Sequence, residues 1–159
     1  MSNFPELEFD RMRSSDIASV MSIERASFSS PWSRYDFDLN LRNENVYYFV
    51  LRHNNEVVAY VVFTIMFNKA HIANFAVHPD YRRKGIGSEL LRRTLHYIQS
   101  HGVRKIFLEV RVGNIAAQNL YSKFGFKIVG FRKNYYCDNN ESALVMMIDN
   151  LKVVKACAE

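Results

Sequence analysis

A chain of 159 residues suits one domain with a single core, and 48% apolar with 23% charged residues excludes a disordered or fibrous class. No run approaches 18 apolar residues and the opening MSNFPELEFDRMRS lacks the apolar core of a secretion signal, so neither a membrane span nor export is expected. A net charge of +5 fits an anionic cofactor, an acidic partner or nucleic acid equally, and two cysteines, Cys137 and Cys157, are too few for a disulfide framework, which makes a reducing cytoplasm the expected setting.

LEFDRMR, residues 7 to 13, predicts a first strand. Ser15 and Asp16 are placed to cap a helix running to about Phe28, with Ile17, Val20, Met21 and Ile23 on its apolar face. SSPWS, 29 to 33, breaks that helix, and a shorter one follows over 33 to 43. VYYFVLR (46 to 52) and VVAYVVFTIMF (57 to 67) flank His53-Asn54-Asn55-Glu56, and two β-rich runs around Asn-Asn predict a hairpin. HIANFAV, 71 to 77, adds a strand. A helix follows from about 85 to 101, with Ile86, Leu90, Leu91, Leu95 and Ile98 in one stripe, stopped by His101-Gly102. KIFLEVRV, 105 to 112, reads as a strand. Asn114 is a good N-cap for a helix over 115 to 124, with Gly125 where a C-terminal glycine belongs. FKIVGFRKNYYC (126 to 137) and SALVMMI (142 to 148) predict two late strands. The order implies a mixed α/β sheet, antiparallel first and with parallel crossovers in the middle, as one domain over 1 to 150 with a tail at 151 to 159.

One stretch carries chemistry. In HPDYRRKGIGSELL, 78 to 91, Arg82, Arg83 and Lys84 stand directly before Gly85-Ile86-Gly87 and a helix start. A helix start already carries about half a positive charge, so cations there call for an anion. Strand, glycine turn and helix start together make an anion site. The P-loop pattern is absent, because Lys84 precedes Gly85. The dinucleotide fingerprint fails at its third glycine, where Leu90 stands. The spacing that fits is Arg82-x-x-Gly85-x-Gly87.

That spacing resembles the acetyl-CoA loop of the GNAT acetyltransferase superfamily. LEVRVGNIAAQNLYSKFGF, 108 to 126, is similar to the branch of that superfamily holding RimI-like and archaeal-type protein N-terminal acetyltransferases. Leu108-Glu109-Val110-Arg111, Asn114, Ala117, Leu120-Tyr121 and Gly125-Phe126 match its pattern. So do PWS at 31 to 33 and the tandem tyrosines in RKNYYCDNNESALVMM, 132 to 147. Gly113 departs from it, standing where serine is usual, and is expected to loosen the turn or one cofactor contact.

The resemblance implies the GNAT fold, a mixed central sheet of about seven strands flanked by about four helices. It implies an enzyme that passes the acetyl group of acetyl-CoA to a protein α-amine by direct attack. Arg82, Arg83, Lys84, Gly85, Ile86, Gly87 and Ser88, with Asn114 and Tyr121, are implied in cofactor binding. Backbone N–H groups near Phe75, Ala76 and Val77, where the family has a bulged strand, are implied in polarising the thioester. Glu109 is the implied base, with His71 as a relay, and Tyr121 the implied acid. Phe28, Pro31, Trp32, Tyr135 and Tyr136 are implied around the peptide. The substrate is a protein N-terminus, with ribosomal proteins among the candidates; no metal, membrane or nucleic acid is required, and the oligomeric state is open.

The residues alone leave rivals. Asn114, Gln118 and Tyr121 share a helix face at i, i+4 and i+7, yet Tyr121 at the rim of an amphipathic helix needs no function. Glu109 shares a strand face with Phe107 and Arg111, and a structural Glu109–Arg111 pair is an alternative to catalysis. A lone strand histidine such as His71 is more often structural, and no histidine cluster has metal-ligand spacing. The acceptor could also be a lysine or a small amine, and a non-catalytic module docking on ribosomal RNA is a rival of another class.

Overall fold

The computed structural model describes residues 6–151. Seven strands, β1 (Leu7–Arg11), β2 (Val46–His53), β3 (Glu56–Met66), β4 (Lys69–Val77), β5 (Lys105–Arg111), β6 (Lys127–Arg132) and β7 (Ala143–Ile148), form one sheet in the order β1-β2-β3-β4-β5-β7-β6. Four helices, α1 (Ile17–Ser27), α2 (Arg34–Leu41), α3 (Ile86–Ser100) and α4 (Ile115–Lys123), cover it. Each corresponds to a predicted element. The first of the two late strands is shorter than expected: β6 ends at Arg132, so Tyr135 and Tyr136 lie in a loop before β7. Only β4 and β5 pair in parallel, one such pairing rather than several. Seven strands and four helices match the mixed sheet that the resemblance implies.

The sheet has a core on each face, which explains why β3 reads as an unbroken apolar run rather than an alternation. Phe49, Leu51, Val61, Phe63, Ile72, Ile106 and Leu108 pack under the stripe Ile86, Leu90, Leu91, Leu95 and Ile98 of α3. Tyr48, Val50, Tyr60, Val62 and Ala76 pack on the other face with Ile17, Val20 and Ile23 of α1 and Phe37 of α2. The core continues past residue 150: Leu151 is buried and its N–H donates to Arg104 O at 2.7 Å. The remainder of the expected tail, with Cys157, lies outside the described residues.

Local chemistry sets the ends. Asn54 and Asn55 take φ of +50° and +65°, two left-handed residues as a two-residue hairpin between twisted strands requires. Phe67 and Asn68 repeat the device between β3 and β4, so Phe67, predicted as strand, is turn. Ser33 caps α2 by accepting from Asp36 N–H, with the Asp36 carboxylate returning the bond to Ser33 N–H. Asp16 does not cap α1 with its side chain. It is buried and faces Arg52 of β2 in a two-pronged pair, with Nη2 to Oδ2 at 2.8 Å. The guanidinium hydrogen bond holds the Asp16 carboxyl below the usual range.

Candidate active site

β4 and β5 pair from Lys69–Lys105 to Ile72–Leu108 and then part. A bulge coincides with the parting. Val62 pairs with Asn74 and Phe63 with Ile72, so Ala73 is the extra residue on β4. This lies two residues earlier than the Phe75–Val77 segment where sequence reasoning expected it. Its effect is to exchange the faces of the strand. Before it, Ala70 and Ile72 point to the α3 layer; after it, Phe75 and Val77 do, and Ala76 turns to α1 and α2. Asn74 therefore joins the α1 side, where its amide meets Glu24 of α1.

A cavity of about 550 Å³ fills the parting. His71, Asn74 and Phe75 of β4 line it, as do Glu109 of β5, Asn114, Leu120 and Tyr121 at α4, Phe28 and Trp32 from the segment after α1, and Tyr135 and Tyr136 from the loop before β7. Pro31, Ala76 and Val77 do not line it, and neither do residues 82–88.

His71 and Glu109 are brought together, with Nε2 to Oε2 at 2.6 Å. Facing a carboxylate, Nε2 carries the proton and donates it. The imidazole stacks on Phe107 at 4.5 Å and 16°. Burial pushes the Glu109 carboxyl up, but the His71 hydrogen bond and charge, with Arg132 3.9 Å away, outweigh it and hold the group below its usual range. The alternative Glu109–Arg111 pair does not form. Arg111 instead binds Asp138 at 2.8 Å and Glu141 at 3.2 Å, and its guanidinium lies 3.9 Å from the Tyr136 ring centroid. Asp138 also accepts from Ser29 Oγ, so this cluster ties the loop before β7 to the segment after α1 across the cavity mouth.

Tyr121 is 7% exposed, its ring held edge-on by Phe75 at 6.0 Å and Phe126 at 5.7 Å. Its hydroxyl has no partner among the described residues although the residue lines the cavity. Desolvation raises this phenol's pKa, so it stays a proton donor at neutral pH. Burial also raises Tyr136, to about 12, and Tyr135. Asn114 uses its Oδ1 to cap α4 at Ala117 N–H, 3.1 Å. Gln118, predicted to share that face, turns back and donates to Arg111 O at 2.9 Å and Val112 O at 3.0 Å.

The glycine turn abuts the cavity on its α3 side. Arg83 and Gly85 are left-handed, at φ +60° and +82°, and Gly85 stands at the N-cap of α3. Left-handed residues alternating with others turn successive N–H groups to one side, and the helix start adds its own, which suits a diphosphate. A Cβ on Gly87 would stand 3.5 Å from Leu120 and 4.0 Å from Phe75, both cavity residues, so the first turn of α3 lies directly behind the site. These residues fit coenzyme A. The Arg82 side chain is committed elsewhere, donating to Val77 O at 3.0 Å and to Ser27 Oγ at 2.9 Å, where it braces β4 against α1. Lys84 Nζ lies 5.9 Å from the Tyr81 ring centroid.

Gly113 does not loosen its turn. Its N–H donates to Glu141 Oε2 at 2.9 Å, and a Cβ there would stand 2.9 Å from the same oxygen. Glycine lets the carboxylate seat on the backbone. Sequence reasoning missed Glu24, which is 1% exposed and accepts from Trp32 N–H at 3.0 Å, from the Tyr60 hydroxyl and from Asn74. The signal was there: Glu24 falls at i+7 from Ile17 and i+4 from Val20, inside the apolar stripe of α1. Burial pushes its carboxyl up.

A mixed sheet parted between two parallel strands, a glycine turn feeding a helix at the parting, and a tyrosine with an unpartnered hydroxyl inside it define a coenzyme-A-dependent acyltransferase class. Residues 17–126 match the Acetyltransferase (GNAT) family, and the chain belongs to it. A Bacillus subtilis (strain 168) protein, provisionally named a ribosomal protein bS18-alanine N-acetyltransferase, is 40% identical over 138 residues, covering 86% of this chain and 91% of that one. An N-alpha-acetyltransferase of Sulfurisphaera tokodaii is 30% identical over 153 residues, covering 88% and 92%. The crystal structure of the ribosomal-protein-S18-alanine N-acetyltransferase from Escherichia coli superposes with a TM-score of 0.84 at 29% identity, covering 96% of this chain and all of that one.

Proposed function

We propose that this chain transfers the acetyl group of acetyl-CoA to the N-terminal α-amine of proteins. The observation that carries the reading is the His71–Glu109 pair in the same cavity as the unpartnered hydroxyl of Tyr121. Bound acetyl-CoA supplies an activated thioester. The chain supplies proton movement and position. An α-amine, with a pKa near 8, is roughly 10% neutral at pH 7, whereas a lysine amine near 10.4 is about 0.04% neutral. An N-terminal amine therefore needs only modest help. The Glu109 carboxylate orients the His71 imidazole and draws the ammonium, and the pair takes up its proton. Of the segment 75 to 77, Phe75 lines the cavity where β4 has left β5, and backbone N–H groups turned to that side would polarise the thioester carbonyl. Tyr121 gives its proton to the departing sulfur.

Trp32, Phe28, Tyr135 and Tyr136 form the peptide side of the cavity, with Pro31 outside it. The glycine turn from Arg83 to Ser88 holds the pyrophosphate through backbone N–H groups, while Arg82 acts structurally. Relatives that carry the name ribosomal protein bS18-alanine N-acetyltransferase support an alanine-first ribosomal protein as the first substrate to try, and a cytoplasmic setting. The test is a peptide panel with labelled acetyl-CoA, varying the first residue among Ala, Ser, Met and Glu and including N-blocked peptides bearing lysine. Label on N-terminal amines is expected. Label confined to the blocked lysine peptides refutes the assignment, and salt-sensitive RNA binding without any transfer would favour a docking module.

A further inference from the structure

The amine that attacks must be held as well as deprotonated. A neutral amine keeps two N–H groups, and the His71–Glu109 pair faces the proton that leaves. In a desolvated cavity each remaining N–H needs an acceptor, or binding loses the value of that hydrogen bond. Asn74 offers one. It lines the cavity on the same layer as His71 and Glu109, carried there by the extra residue Ala73.

Its orientation is fixed by an acid. Asn74 Nδ2 lies 3.2 Å from both carboxylate oxygens of Glu24. A carboxylate accepts only, so the NH2 end of the amide faces Glu24 and the carbonyl end does not. Oδ1 has no partner among the described residues. Glu24 is itself held by Trp32 N–H and the Tyr60 hydroxyl, so it cannot swing to release the amide without breaking two further bonds.

We propose that Asn74 contacts the substrate, its Oδ1 accepting a hydrogen bond from the terminal amine of the bound peptide, with Glu24 as the positioning residue that keeps the amide turned that way. The proposal rests on the functional reading above. Oδ1 selects for an N–H at the first residue, whatever its side chain, which is the recognition a broad α-amine acceptor site needs.

The test compares wild type, Asn74→Leu and Glu24→Gln, once wild type has been shown to acetylate an alanine-first peptide. Asn74→Leu keeps the branched outline of the side chain and removes the acceptor. Peptide KM is expected to rise roughly 3- to 10-fold, the value of one hydrogen bond, while the dissociation constant for acetyl-CoA stays within about twofold. Glu24→Gln should move peptide KM in the same direction, because a glutamine can offer an N–H that flips the amide. A desamino peptide, with propionyl in place of the first alanyl, has no terminal N–H to donate. Its inhibition constant should be equal on wild type and Asn74→Leu. Unchanged peptide KM, or a desamino constant that shifts as much as the substrate's, overturns the proposal while leaving N-terminal transfer intact. Absence of transfer to any N-terminal amine by wild type overturns the functional reading and this proposal together. Should Asn74→Leu not fold, Asn74→Ser, too short to reach the same place, carries the same comparison.

Discussion

Replacing Tyr121 by Phe removes one oxygen and tests the proposed acid with little else disturbed. The ring is held by Phe75 and Phe126, and a phenylalanine keeps both contacts. The hydroxyl bonds to nothing among the described residues, so the fold loses no hydrogen bond. The thermal midpoint should hold or rise slightly, because a nearly buried, unpartnered polar group has gone. Turnover should behave differently. A positioned general acid contributes about 10² to 10⁴ in rate, which at ~1.36 kcal/mol per decade is roughly 2.7 to 5.4 kcal/mol of barrier. Steady-state assays should show kcat lowered by that factor and the acetyl-CoA dissociation constant unchanged by calorimetry. The pH profile adds a second reading. Burial raises the Tyr121 phenol, so it remains protonated where a free phenol ionises near pH 10, and wild type should show no alkaline loss at that point from this group. A kcat within threefold of wild type, or a fall in kcat matched by a fall in thermal midpoint, would refute the role.

Three further outcomes follow from particular side-chain contacts in the fold. Asp16→Asn keeps one acceptor but removes the negative charge facing the buried Arg52 guanidinium, leaving Asp10 at 3.6 Å as its carboxylate partner, and should cost about 3 kcal/mol in urea denaturation. The folded-state pKa of Asp16 lies below its unfolded value, so the wild-type contribution is present above pH ~4 and is lost as pH falls through the lower folded value; the variant should show a shallower acid limb. Gly113→Ser puts a Cβ 2.9 Å from Glu141 Oε2, the far end of a movable side chain, so a loss of about 1 kcal/mol is expected, abolished in the Glu141→Ala background. Arg111→Ala removes one partner each from Asp138, Glu141 and the Tyr136 ring at once; protease cleavage between residues 133 and 142 should become faster and peptide KM should rise about tenfold, with acetyl-CoA binding unaffected.

Most of the scaffold could be read from the chain, because its signals are local. Asn54-Asn55 between two β-rich runs, Asn114 before a helix and Gly125 after it, and the α3 stripe each state their conformation within a few residues. The candidate site was legible for the same reason: motif spacing singled out Glu109 and Tyr121, which line one cavity, and the Gly85–Gly87 turn that abuts it. What the spacing could not provide was pairing across distance. Glu109 and Arg111 stand two apart on one strand and invite each other, yet His71, 38 residues away, claims the first, and the loop before β7 claims the second. Arg82 falls in the expected cofactor loop, yet its guanidinium bonds Val77 O and Ser27 Oγ, partners that motif spacing does not name. Glu24 was hidden because a carboxylate in an apolar stripe reads as a flaw in the pattern until its three donors are seen.

The extra residue in β4 makes this part of the chain sensitive to length rather than to side chain. Ala73 could change to many residues without moving its neighbours, since its backbone, not its methyl, sets the exchange of layers. Deleting it would leave Ile72 and Asn74 adjacent on their present faces and heal the ladder with β3, so what would be lost is the local bend that coincides with the parting of β4 from β5 and opens the cavity. Homologous chains should therefore tolerate any letter at this point but no gap, a signature an alignment can reveal before any assay is run.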